Sequence, residues 1–250
     1  MGRRLGQHFL VRQSILASIA EAACPEAGET VIEIGPGRGA LTSHLVERAA
    51  RAVAIEIDPV LAQYLREKFR DSPKLEIVES DVLRAPLDAY GPVTVAGNLP
   101  YYITSPIVEK TLALGPLLRR AVFLVQQEVA ARLAAVPGTR DYGYLSVAAQ
   151  LRAEVSILFP VSRAAFRPPP KVDSAVVRLL PRPEAPASMD TAALLQFAGL
   201  CFRQKRKTIR NNLLGAYAKE RLDALAECGH RAEQLSIAEL AALHRTLTAV

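Results

Sequence analysis

Cysteine is scarce in this 250-residue chain: Cys24, Cys201 and Cys228 lie far apart, and none forms a CxxC pair. An odd, scattered count argues against a disulfide framework or a zinc site and points to a reducing cytoplasm. The four histidines are equally dispersed, so no metal is expected. No apolar run reaches the ~20 residues of a membrane span. The two arginines in MGRRLGQHFLVRQ precede no apolar stretch of secretory length, so no signal peptide is expected either. Internal repeats are also absent. What the chain does have is apolar mass, 50% hydrophobic residues against 22% charged. That balance supports a full core and excludes a disordered chain, a collagen or a disulfide mini-scaffold. The length suits one large domain, or an ordinary one with a small appendage.

Charge is unevenly placed. The net value is +6, from 31 basic and 25 acidic residues, compatible with a nucleic-acid partner without demonstrating one. Within Arg203–Arg210 (RQKRKTIR), five of eight residues are basic and none is acidic. A solvated helix face accounts for such a run as well as a phosphate-binding surface does.

Short apolar runs alternate with helical patterns over the first two thirds of the chain. Residues 30–34, 52–57, 75–78, 93–96, 121–125 and 172–180 read as strands, and 40–50, 59–69 and 106–114 as helices. Asp58 before Pro59 is an N-cap followed by proline at the first helical position. This alternation predicts a doubly wound, mostly parallel α/β sheet. Three prolines (Pro181, Pro183, Pro186) then break the pattern. Beyond them only helices are expected, over 191–202, 205–215, 219–226 and 237–247. The expected organisation is an α/β domain over 1–180, a linker over 181–189 and a small all-helical domain over 190–250.

The first strand runs into VIEIGPGRGALT, where Gly35 and Gly37 allow a sharp turn and exposed N–H groups can approach a ligand. Gly35-x-Gly37-x-x-Ala40 also satisfies a dinucleotide fingerprint, so the glycines alone do not separate a nicotinamide enzyme from a methyltransferase. Glu56 ends the second strand, 21 residues past Gly35, placed for the ribose hydroxyls of any adenosine-containing cofactor. Asp81 follows the third strand at the ligand-binding edge, where it can meet an adenine amino group or simply cap a helix.

The fourth strand ends in Asn98-Leu99-Pro100-Tyr101, which resembles the amino-group methylation motif of adenine methyltransferases that use S-adenosylmethionine. Taken with GQHFL (6–10), EIGPGRGALT (33–42), EIDP (56–59), FRPPPKVDSAV (166–176) and FRQKRKTIRNNL (202–213), the chain resembles the ribosomal RNA adenine dimethyltransferase family, of the KsgA/RsmA type. The blocks run in family order over nearly the whole chain. The resemblance implies a Rossmann-like class I methyltransferase sheet and a helical RNA-binding domain. It implies dimethylation of two adjacent adenosines near the 3′ end of small-subunit (16S) ribosomal RNA, with S-adenosylhomocysteine as product. It further implies a monomer acting on a pre-30S particle in the cytoplasm, without metal or membrane. It places His8, Leu10, Gly35, Glu56, Asp81 and Asn98 at the cofactor, and Asn98, Leu99, Pro100, Tyr101 and Phe166 at the target base, with Tyr101 and Phe166 stacking on it. Many bacterial members carry Asn where this chain has His8. The basic run becomes the RNA-binding element, with Arg203, Lys207 and Arg210 on one helix face, Lys205 and Arg206 nearby, and Asn211, Asn212, Arg3, Arg4 and Arg12 extending it.

The chemistry suits these residue types. An adenine amino nitrogen is a poor nucleophile because its lone pair is delocalised into the ring, and the base must leave any duplex first. The Asn98 side-chain carbonyl and the main-chain carbonyl of Leu99 or Pro100 can accept its two hydrogens. The donor is an activated sulfonium, so positioning supplies most of the catalysis and no general base is needed. Three other functions compete: a macrolide-resistance-type methylase of large-subunit RNA, a non-catalytic ribosome-assembly factor, and a nicotinamide oxidoreductase. The last leaves the NLPY motif and the basic run without a purpose.

Overall fold

The computed structural model describes residues 8–182 and 190–249. These divide into two compact units, one of residues 8–130 and 153–181, the other of 131–152, 182 and 190–249. The sequence predicts a single cut at 181–189, but residues 131–152 leave the sheet and join the C-terminal helices. Pro183 and Pro186 of the expected linker, and Arg3, Arg4 and Gly6, lie outside the described residues.

The elements run β1 (Phe9–Leu10), α1 (Gln13–Ala23), β2 (Thr30–Ile34), α2 (Ala40–Arg48), β3 (Arg51–Glu56), α3 (Pro59–Lys68), β4 (Leu75–Glu79), β5 (Val93–Asn98), α4 (Thr104–Leu112), β6 (Leu118–Gln126) and α5 (Gln127–Ala134). They continue with α6 (Tyr144–Gln150), β7 (Ala153–Val161), β8 (Phe166–Arg167), β9 (Ser174–Pro181), α7 (Thr191–Cys201), α8 (Ile209–Leu213), α9 (Lys219–Asp223) and α10 (Ile237–Thr248).

The first unit is built on a seven-stranded sheet of order β4-β3-β2-β5-β6-β9-β7. Neighbours from β4 to β6 pair in parallel, and β9 runs antiparallel to both β6 and β7. This is the doubly wound order 3-2-1-4-5-6 with one antiparallel strand inserted before the last. The central strands β2, β3 and β5 are buried almost throughout, as near-continuous Val, Ile and Ala runs covered on both faces must be. Helix α1 lays Leu16, Ile19, Ala20 and Ala23 on the sheet in a single i, i+3, i+4, i+7 stripe. Each such Leu or Ile contributes roughly 1.5–3 kcal/mol by its burial. Asp58 caps α3 as its sequence predicts, accepting from Val60 N–H at 2.9 Å and Leu61 N–H at 3.4 Å. A two-stranded ribbon pairs β1 with β8, Phe9 opposite Arg167 and Leu10 opposite Phe166.

The second unit encloses its own core, including Tyr142, Val147, Leu194, Phe197, Ile209, Leu213, Leu240 and Leu243. The predicted helix over 205–215 is a correction: only Ile209–Leu213 is helical. Thr208 is extended (ψ 158°) and caps α8 through its hydroxyl, which accepts from Asn211 N–H at 3.4 Å. The preceding basic run, 203–207, forms turns. Buried Asn212 fixes that bend: its Oδ1 accepts from Gln204 N–H at 3.1 Å, and its Nδ2 donates to the carbonyls of Cys201 (2.7 Å) and Gln204 (3.2 Å). Asn212 is therefore a structural brace, and the predicted common helix face of Arg203, Lys207 and Arg210 does not exist. Among the described residues no helix is long and apolar enough to cross a membrane.

Candidate active site

A cleft of about 550 Å³ opens at the carboxyl ends of β2, β3, β4 and β5, the edge where open α/β sheets bind ligands. Its volume is that of a small-molecule site. His8, Leu10, Gly35, Glu56, Asp81, Asn98, Leu99, Pro100 and Tyr101 all line it, so nine of the ten residues assigned to cofactor and base converge. All belong to the first unit.

The glycine loop forms the floor. Gly35 has φ +65°, and a Cβ there would meet nothing within 4 Å, so its backbone adjoins open space at the cleft. Glu56 closes the loop from β3. Its Oε2 accepts from Gly37 N–H and its Oε1 from Asp58 N–H, both at 3.0 Å, with the side chain buried. Burial raises its pKa and these backbone bonds oppose the rise. A carboxylate has about four lone-pair sites, so capacity remains for a hydroxyl donor. Asp81 uses Oδ1 to accept from Leu83 N–H at 2.9 Å. It is therefore a turn former as well as a cleft residue, with Oδ2 left over.

The end of β5 carries the polar acceptors. Gly97 permits close approach to β2, since a Cβ there would lie 2.5 Å from the Ile34 carbonyl oxygen. Asn98 follows and donates from Nδ2 to the His8 carbonyl at 3.1 Å. A carbonyl only accepts, so this contact fixes the amide orientation and leaves Oδ1 available. The Pro100 carbonyl already accepts from Ile103 N–H at 3.2 Å and Thr104 Oγ1 at 3.1 Å. Of the two main-chain candidates, the Leu99 carbonyl accepts no hydrogen bond among the described residues. Tyr101 is pinned by its hydroxyl against Ser174 Oγ at 3.1 Å, and burial raises its pKa. Tyr102 beside it is 68% exposed.

Phe166, the tenth residue, does not line the cleft. It is 0% exposed and packs in the core with Leu10, Leu16, Leu124 and Val176. It sits opposite Leu10 in the β1–β8 ribbon, and in this structure core side chains cover its ring.

Sequence reasoning missed Glu33, which is buried on β2 and lines the cleft. Its Oε2 has no hydrogen-bond partner among the described residues. Burial pushes its pKa up to about 7, and the nearby Glu56 adds to the rise. A charged residue inside an otherwise apolar strand was the available signal. Because the folded protein holds this proton more tightly than the unfolded chain, Glu33 contributes stability that fades as pH rises from about 4.5 towards 7. Glu33→Gln should therefore become increasingly stabilising relative to wild type as pH rises from about 4.5 to about 7 and level off above that, by roughly 3 kcal/mol at most. Denaturant titrations at acidic and alkaline pH check it; a constant difference between the two proteins would exclude this titration.

The basic residues of the second unit are partly committed. Arg210 pairs with Asp223 through Nε and Nη2, and Lys205 lies 3.9 Å from Glu233. Arg203, Arg206 and Lys207 are exposed and have no carboxylate partner among the described residues.

A sheet of this order, a glycine loop tied to a buried carboxylate, and NLPY at the end of β5 make up the layout of a Rossmann-like class I methyltransferase. The chain belongs to the ribosomal RNA adenine dimethylase family, whose model matches residues 2–248. It is 45% identical over 255 residues to the ribosomal RNA small subunit methyltransferase A of Acidobacterium capsulatum, covering 98% of this chain and 90% of that protein. The corresponding protein of Leptothrix cholodnii is 42% identical, with 96% and 90% covered. Among solved structures, a dimethyladenosine transferase from Plasmodium falciparum superposes with a TM-score of 0.79 at 26% identity, covering 93% of this chain and 94% of that one. The 23S rRNA methyltransferase ErmE superposes at 0.70 with 33% identity, covering 96% and 100%.

Proposed function

We propose that this protein dimethylates the 6-amino groups of two adjacent adenosines near the 3′ end of small-subunit ribosomal RNA, using S-adenosylmethionine. The observation that carries this is the pair of acceptors, Asn98 Oδ1 and the Leu99 carbonyl, that no donor among the described residues occupies, at a strand end inside the cleft of a family member. Two acceptors suit the two hydrogens of an adenine amine and favour a pyramidal nitrogen, whose lone pair is then free to react. When bound, the donor supplies an electrophilic methyl on a sulfonium. Glu56 and Asp81 offer remaining lone pairs to ribose and adenine donors, His8 and Leu10 border the methionine end, and Glu33 provides a buried carboxylate that complements positive charge. Tyr101 offers a ring for the base.

Purified small and large subunits incubated with labelled donor, followed by mapping of the modified base, test the assignment. Label on two adjacent adenosines of the small subunit is the expected result; label on the large subunit would overturn it. The likeness to ErmE favours that second reading, while the names of the curated relatives favour the first. The same reading makes the protein a cytoplasmic monomer, without metal, that acts on a pre-30S particle.

The exposed loop of the second unit is the proposed RNA-binding element, with Arg203, Arg206 and Lys207 as the cations that have no carboxylate partner among the described residues. Replacing Lys205, Arg206 and Lys207 with alanine should weaken RNA binding and reduce the log–log salt slope by roughly 0.7 for each phosphate no longer neutralised. Cofactor affinity should hold, since the cleft is built within the first unit alone. Parallel salt slopes for the two proteins would remove the loop from the footprint.

A further inference from the structure

The chain turns just after β5. The Pro100 carbonyl accepts from Ile103 N–H at 3.2 Å, which makes Tyr101 and Tyr102 the two corner residues of a β-turn. Thr104, buried at the start of α4, donates its hydroxyl to the same carbonyl at 3.1 Å. The two corners point to different surroundings. Tyr101 is tied inward, its hydroxyl 3.1 Å from Ser174 Oγ. Tyr102 is 68% exposed and makes no hydrogen bond or ring contact among the described residues, yet it lines the cleft. A lone exposed apolar side chain is ordinary on a protein surface. One presented by a braced turn at a cleft mouth, next to the ring offered to the target base, is placed for a ligand. Val11 and Ile57, also exposed along the cleft, are aliphatic and have no π-face.

We propose that Tyr102 is the stacking platform for the adenosine next to the one being methylated. The turn at 100–103 then serves both bases of the pair, one inside the cleft and one at its mouth. The proposal rests on the methyltransferase reading above and deepens it. Two adjacent adenosines must enter the cleft in succession. Each time the neighbour lies one nucleotide away along the strand, as Tyr102 lies one residue from Tyr101 along the turn.

A ring is also the right kind of neighbour site. An aromatic side chain binds a base through its π-face and takes no account of the base edge. An unmodified adenine amine carries two hydrogens and a dimethylated one carries none. A neighbour site built on hydrogen bonds to that amine would therefore distinguish the first round from the second, whereas a ring accepts both. The turn fixes the Tyr102 backbone before RNA arrives, so only two side-chain torsions remain to be ordered and the entropic cost of binding is small.

The test is a mutant cycle between protein and RNA. Small subunits are reconstituted with RNA in which one adenosine of the mapped pair is abasic, each position in turn. Methylation of the remaining adenosine is then measured as kcat/KM for wild type, Tyr102→Ala and Tyr102→Phe. On intact RNA, Tyr102→Ala should lower kcat/KM roughly 5- to 150-fold, the scale of one base–ring stack, and mainly through KM. Tyr102→Phe keeps the ring and should stay near wild type. With wild type, an abasic neighbour should cost a similar factor at one position or both, and there Tyr102→Ala should add little further loss. Losses that multiply independently at both positions would overturn the platform, because a variant that merely distorts the loop penalises every substrate alike. So would wild-type kcat/KM in Tyr102→Ala. A loss in Tyr102→Phe as large as that in Tyr102→Ala would overturn it too, by assigning the effect to the hydroxyl. Wild type failing to methylate intact small subunits is a separate result, which removes the methyltransferase reading and the platform with it.

Discussion

Asn98→Ala should reduce methyl transfer by roughly 10²- to 10³-fold, the usual cost of deleting one preorganised group that acts mainly in the transition state. Its Oδ1 has no partner among the described residues while its Nδ2 is committed to the His8 carbonyl, so the amide is oriented before any base arrives. Acceptance strengthens as the nitrogen becomes pyramidal and its hydrogens more positive, and the loss should fall on kcat more than on RNA affinity. Single-turnover transfer to saturating subunits, with RNA binding measured separately, makes the distinction. The Leu99 carbonyl remains in the variant, so residual monomethylation above background is expected. Equal losses in affinity and in kcat would mean that Asn98 holds the RNA in the ground state instead. Turnover near wild type would show that the amine is held elsewhere.

The parts of the fold legible in the sequence are those whose burial is local. Strand β2 matches its apolar run residue for residue, and α3 begins at its Asp-Pro signal. The apolar run for β6 starts three residues late because Arg119 and Arg120 resemble a loop. Arg120 is in the strand because it meets buried Glu29, 91 residues away, with Nη1 at 2.8 and 2.9 Å from the two carboxylate oxygens. Edge strand β7 leaves little pattern to read, because most of its residues are partly buried or exposed and its register shifts between Ile157 and Phe159. Helix α1 has no start signal: Arg12 makes no capping bond, and the first turn holds no acidic residue. The basic run misleads in the opposite direction. Charge at helical spacing suggests one long helix, although Thr208 carries the cap that starts a new one.

The site divides along the same line. Glycines and polar residues at strand ends announce themselves, because a parallel sheet delivers every carboxyl end to one edge. Gly35, Glu56, Asp81 and Asn98 are legible for that reason. Whether a ring faces the cleft or the core depends on the pairing of β1 with β8, distant in the chain.

Glu56→Ala should weaken S-adenosylmethionine binding by roughly 10²- to 10⁴-fold, the loss of two charge-assisted bonds to hydroxyls at about 1.5–3 kcal/mol each. The structure adds a second cost. The same carboxylate satisfies Gly37 N–H and Asp58 N–H, and removing it leaves those donors to water or unpaired, at about 1–3 kcal/mol for each that stays buried. A fall in affinity could therefore come from a slack glycine loop instead of a missing ribose contact. Glu56→Gln does not separate the two, because its amide must set an N–H₂ group against one of the backbone donors. Asp58→Ala does. It removes the cap of α3 beside the loop, at about 0.5–2 kcal/mol, while keeping the Glu56 carboxylate and both backbone N–H groups that donate to it. Calorimetry with the cofactor and denaturant titration of both variants give the answer. Asp58→Ala should lose stability and retain most of its affinity, while Glu56→Ala should lose both, affinity by far the more. Comparable affinity losses in the two variants would make Glu56 a fastener of the glycine loop, and the ribose would need another acceptor along the cleft.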